Sequence, residues 1–89
     1  MYFTYVLNCF SGNKQEFYTG VAERLENRLE DHLSHSVKTT KKFYKIELVY
    51  YEACINKKDA YMREKQLKTG FGRGYLNRRL SEYLKDKRG

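Results

Sequence analysis

Aromatic and β-branched residues crowd Tyr2–Asn8 (YFTYVLN) and return at Glu16–Gly20 (EFYTG), with the turn-forming Ser11-Gly12-Asn13 between them. That order predicts a β-hairpin. Beyond Gly20 the period lengthens: Leu25, Leu29 and Leu33 recur at i, i+4, i+8 among polar residues, the stripe of an amphipathic helix over about Glu23–Ser34 with its leucine face packed. Ser36–Lys42 (SVKTTKK) has no period and reads as an exposed, solvated loop whose hydroxyls and amines can meet phosphate. Phe43–Ala53 (FYKIELVYYEA) sets Ile46, Leu48 and Tyr50 against Lys45, Glu47, Val49 and Tyr51, as a strand with one buried face does.

Asn56, followed three residues later by Asp59, has the form of a helix N-cap with an acidic third position, and opens a helix running to about Lys68. Gly70 is the expected stop, and Gly70–Gly74 the link to a last helix marked by Leu76, Leu80, Tyr83 and Leu84. The expected fold is therefore α+β: a small three-stranded, mostly antiparallel sheet flanked by three helices in the order ββαβαα. A chain of 89 residues leaves room for one domain, taken as residues 1–89.

Composition narrows the partner. Eighteen Lys and Arg against eleven Asp and Glu give a formal charge of +7, which suits a polyanion such as nucleic acid or simply keeps a small domain soluble. Cys9 and Cys54 are far apart without a CxxC, and His32 and His35 lack zinc-ligand spacing, so both thiols are expected free. No apolar run approaches the roughly 20 residues of a membrane span, and the N-terminal stretch is too short for a signal peptide. The expectation is a cytoplasmic protein without membrane contact.

Phosphodiester hydrolysis near neutral pH needs an activated water, a cation at the phosphate and stabilisation of developing charge. Phe3-Thr4-Tyr5 and Tyr18-Thr19-Gly20, the Leu25, Arg28, Leu29, His32 series and Ala60-Tyr61-Met62-Arg63-Glu64-Lys65-Gln66-Leu67-Lys68 stand in this order along the chain. Together they resemble the GIY and YIG elements, the L-x-x-R-L-x-x-H helix and the A-x-x-R-E-x-x-L-K helix of the GIY-YIG nucleases, particularly the small stand-alone members. The likeness spans about residues 2–84, with Thr19 in place of the YIG isoleucine and Phe3-Thr4 in place of Gly-Ile.

The resemblance implies a metal-dependent endonuclease acting on nucleic acid, DNA ahead of RNA, with a repair or mobile-element role. Glu64 would hold one Mg²⁺ or Mn²⁺, Arg28 would fork onto phosphate, Tyr5 would orient or deprotonate water, Tyr18 would contact the phosphate region, and His32 would position substrate or move a proton. A phenol near its ordinary pKa of about 10 is a poor base, so Tyr5 would need a cation such as Arg28 or Lys14 beside it. Each residue also has a plain reading: Tyr5 and Tyr18 as sheet aromatics, Arg28 and His32 as the border of a helix with Glu30 or Asp31 as partners, Glu64 as a solvated carboxylate.

Asn77 is the candidate for the asparagine found late in many members, one residue from its expected place. The basic segment Lys65–Arg79, with Phe71 and Tyr75 interleaved, supplies Lys68, Arg73 and Arg78 as phosphate contacts, beside Lys14 and Lys41 earlier in the chain. No organic cofactor is implied, and the oligomeric state stays open. A catalytically weak nucleic-acid-binding module of the same fold is the alternative, and an α+β interaction domain charged only for solubility is the third reading.

Overall fold

A computed structural model describes residues 1–88. β1 (Tyr2–Ser11) has every residue from Thr4 to Cys9 buried, which only a central strand covered on both faces can have. It lies between β2 (Lys14–Ala22) and β3 (Lys45–Cys54) in the order β2-β1-β3, antiparallel to both. The hairpin turns in two residues, with Gly12 at φ 59°, where a tight hairpin of this length requires glycine.

Because side chains alternate along β1, its residues feed two cores. Tyr5, Leu7 and Cys9 pack with Phe43 and Ile46, under Leu25 and Leu29 of α1 (Leu25–Leu33). Val6 on the opposite face packs with Leu67 of α2 (Lys57–Leu67) and Leu76 of α3 (Gly70–Arg79). A last helix, α4 (Ser81–Arg88), adds buried Leu84 and the hydroxyl of Tyr83, which accepts from Asn8 Nδ2 at 2.9 Å and donates to Glu47. The order is thus ββαβ followed by three helical pieces, the expected last helix being divided at Leu80.

Four details depart from the sequence reading. The leucine stripe of α1 is not the whole buried face: Leu33 is 51% exposed and His32 takes the inside place at 0%. The strand alternation fails at Tyr50, because β3 carries a bulge. Leu7 faces Leu48 while Val6 faces Tyr50, so Val49 is the extra residue and Tyr50 emerges on the α2–α3 face, its hydroxyl 2.8 Å from that of Tyr75.

Residues 36–42 are also more than a solvated connector, since Val37 and Thr40 are buried. Gly70 does not end a helix. α2 closes at Lys68, and Thr69 caps α3 by accepting from Gly72 N–H, so the glycine-rich stretch is the first turn and a half of α3. Gly72 is the glycine that matters there: a Cβ on it would collide with the backbone of Gln66 and Leu67, so its bareness lets α3 fold back against the end of α2.

Candidate active site

Tyr5 sits opposite Gly20 in the hairpin register. A Cβ on Gly20 would lie 2.5 Å from the Tyr5 hydroxyl, so the glycine leaves the space through which the phenol crosses β2. As β2 is an edge strand, this carries the hydroxyl toward the outer rim of the sheet. Tyr18 lies on the same face, with ring centroids 6.5 Å apart.

α1 closes over this pair. It begins at Leu25 and ends in a cap where His35, in the left-handed region at φ 61°, donates its N–H to His32 carbonyl while Ser36 N–H reaches Asp31 carbonyl. His32 is the last inward residue before that cap. Its Nε2 is 2.8 Å from the Tyr5 hydroxyl and its Nδ1 2.7 Å from Thr40 Oγ1, and its ring meets Tyr18 edge to face at 5.2 Å. The imidazole is held at both nitrogens. Burial, seconded by the Arg28 charge, lowers its pKa from 6.5 to about 4, so it is neutral at physiological pH.

Arg28, one turn earlier, is half-buried and 3.9 Å from Asp31, an exposed pair worth little. Its charge bears on both Tyr5, where it favours the phenolate, and His32, where it opposes the imidazolium. Burial nonetheless outweighs that cation and raises the Tyr5 pKa above its ordinary value, with Tyr18 and Glu64 pushing the same way. The requirement that a cation make Tyr5 a phenolate is therefore unmet in the free protein: the phenol is neutral. Lys14 lies away from it, lining a hollow with Gln15, Glu16 and Lys42 instead.

Glu64 arrives from the other face. α2 is capped by Asn56, whose side chain accepts from Lys58 N–H at 2.8 Å, and is tied to β1 by Thr4 Oγ1 donating to Ala60 carbonyl at 2.9 Å. Arg63 fixes its roll. The guanidinium donates to both Glu52 oxygens at 2.9–3.1 Å and lies 4.8 Å above the Tyr75 ring, while Tyr50 donates to the same carboxylate. Burial alone would raise the Glu52 pKa, but the Arg63 and Tyr50 hydrogen bonds bring it below the usual range. With Arg63 turned to β3, its neighbour points about 100° away around the helix, and the Glu64 charge is felt at the Tyr5 hydroxyl. Its carboxylate is 3.4 Å from Lys68 Nζ.

The structure thus gathers Tyr5, Tyr18, Arg28 and His32 within one cluster and brings Glu64 within electrostatic reach of it. The expected phosphate contacts divide. Lys68, Arg73 and Asn77 line one hollow between β2 and the α2–α3 corner. Lys14 lines another, whereas Lys41 stands exposed on the α1–β3 loop and the Arg78 guanidinium folds back over Gly74. Thr40 escaped the sequence reading, because one hydroxyl in an aperiodic polar segment carries no mark of burial. Arg63 was visible only as part of a motif.

Among the described residues no group of three or more His, Cys, Asp or Glu side chains is placed to hold a metal, and no helix is long and apolar enough to cross a membrane. Cys9 is free and buried, its thiol pushed up to about 11 mainly by burial, and Cys54 is free as well. No curated protein and no solved structure matches the chain. The GIY-YIG catalytic domain does match, over residues 1–77 of 89, and the chain belongs to that family.

Proposed function

We propose that the protein is an endonuclease of the GIY-YIG type that hydrolyses phosphodiester bonds of nucleic acid, DNA ahead of RNA, using one Mg²⁺ or Mn²⁺ on Glu64. The family is one of nucleases, and nucleic acid is its substrate in general terms. The observation that carries the finer reading is the cluster around one phenol: the Tyr5 hydroxyl meets His32 Nε2 at 2.8 Å, the Tyr18 ring lies 6.5 Å from that of Tyr5, and Arg28 stands one turn before His32 on the helix that closes over them.

In this reading the single ring proton of neutral His32 sits on Nδ1, so Nε2 accepts from the Tyr5 hydroxyl at 2.8 Å. That Nδ1 proton is donated to Thr40 Oγ1 at 2.7 Å. In this arrangement the neutral phenol, its hydrogen committed to His32, turns its oxygen lone pairs toward the attacking water and orients it, and the water gives up its proton to solvent as its oxygen attacks phosphorus. The P–O3′ bond breaks and the leaving oxygen is protonated from solvent. Arg28 and Tyr18 hold the phosphate while charge builds on its free oxygens.

Glu64 fits a hard divalent cation because its only ion-pair partner among the described residues is the exposed Lys68, which such an ion would replace. A single carboxylate, with waters and substrate phosphate filling the remaining positions, suits Mg²⁺ or Mn²⁺. Once bound, the ion supplies positive charge at the phosphate and a more acidic water.

The test is incubation of the purified protein with supercoiled plasmid and with single strands, in Mg²⁺, Mn²⁺ or EDTA. Metal-dependent cutting that falls at least about a hundredfold in Glu64→Ala is the expected result. Salt-sensitive binding without cutting in any metal leaves the nucleic-acid-binding module instead.

A further inference from the structure

We propose that the hollow between β2 and the α2–α3 corner receives one unpaired nucleotide of the strand being cut, making the preferred substrate nucleic acid with a base free at the cleavage step. This rests on the hydrolase reading above only for its position beside the scissile bond. The hollow measures about 350 Å³, at the small end of ligand sites and suited to a single nucleotide rather than a stack.

Its walls divide by chemistry. Phe17, Leu67 and Leu76 make an apolar floor, the latter two almost fully buried and Phe17 offering a ring on which a base can stack. Asn77 brings an amide, donor and acceptor together, able to pair with the edge of a base. Lys68 and Arg73 stand among the lining residues against a single acid, Glu16, and Arg73 enters no ion pair among the described residues. Apolar floor, planar amide and surplus cations are what base, base edge and phosphate require.

One wall residue ties the hollow to the proposed metal ligand. Lys68, in its wall, is the residue bridged to Glu64 at 3.4 Å, so a phosphate drawn to Lys68 lies beside the proposed metal ligand. The base attached to that phosphate then points into the hollow. In continuous duplex the same base is paired and stacked, and must leave the helix at an unstacking cost before it can enter. A single strand, a flap or a bulge has already met that cost.

Two measurements on the wild-type protein decide the matter. In EDTA, where cleavage is prevented, fluorescence anisotropy compares a labelled single strand, a duplex with a one-base bulge and a fully paired duplex of equal length. The single strand and the bulge should bind about tenfold or more tightly than the paired duplex. In parallel, methyl NMR follows Leu67 and Leu76 during titration with a deoxynucleoside monophosphate and with inorganic phosphate, and only the nucleotide should shift them. Equal binding of all three nucleic acids, or methyl signals unmoved by the nucleotide, overturns the inference even if plasmid is cut. The expected preference and shifts without cutting uphold the pocket while the hydrolase reading falls, so the two failures are separable.

Discussion

His32 has exchanged solvent for two hydroxyls, Tyr5 on one ring nitrogen and Thr40 on the other, at the centre of a cluster built from three separate segments. Its pKa, lowered from 6.5 to about 4 by burial and the Arg28 charge, has a signed consequence for stability. The unfolded chain takes up the proton first, so the contribution of the neutral ring is fully present above pH 6.5 and is lost as the pH falls toward 4. The loss amounts to roughly 3 kcal/mol. Urea denaturation across pH 4 to 7 should show that slope, and His32→Gln, which cannot titrate, should flatten it whatever its own cost at neutral pH. An unchanged slope in the variant would mean that another group governs acid unfolding. The i, i+4, i+8 leucines of α1 showed that position 32 borders their stripe; that it lies deeper than Leu33 depended on partners supplied from β1 and from the loop, which no local period encodes.

At the scale of elements, the chain was legible wherever one segment's chemistry sufficed. Asn56 caps α2, Gly12 turns the hairpin, and β1, β2, α1 and β3 lie where the periods place them. What stayed hidden was decided between segments. Val49 bulges out of β3 because Tyr50 must turn to meet Tyr75 and Glu52 on the α2–α3 face, and Gly70–Gly74 is helical because Thr69 caps it and α2 needs a close neighbour. Two glycines separate these demands experimentally. Gly72→Ala drives a methyl into the backbone of Gln66 and Leu67, which cannot yield, and should cost about 1–3 kcal/mol or more in thermal or urea unfolding. Gly20→Ala meets the outer end of the Tyr5 ring, a side chain rather than main chain, so unfolding should change less while the Tyr5–His32 contact and any cutting activity are lost. Equal destabilisation by the two would show that the Tyr5 phenol is as fixed as main chain.

For the whole molecule, the motifs named Tyr5, Tyr18, Arg28, His32 and Glu64, but their meeting follows from strand order. α1 and α2 pack on opposite faces of the sheet, and helices so placed are ordinarily kept apart by it. Here β2 is an edge strand that the Tyr5 phenol crosses at Gly20, and α2, which carries Glu64, packs against β1 and β2 from the other face. The excess charge of +7 is distributed to match. Lys68 and Arg73 line the hollow on one side of β2, and Lys38 and Lys42 line another with Tyr18 on the other side. A polyanionic strand following this rim passes both groups, and each phosphate neutralised releases counterions, so affinity falls with salt in proportion to their number. Binding measured in EDTA from 50 to 300 mM KCl should give a log–log slope that becomes about one unit shallower in Arg73→Ala. Lys57, exposed at the far end of α2 from Lys68, provides the comparison: its replacement by alanine removes the same charge from the molecule and should leave the slope unchanged. If both variants shift the slope alike, the strand responds to net charge alone and follows no particular rim.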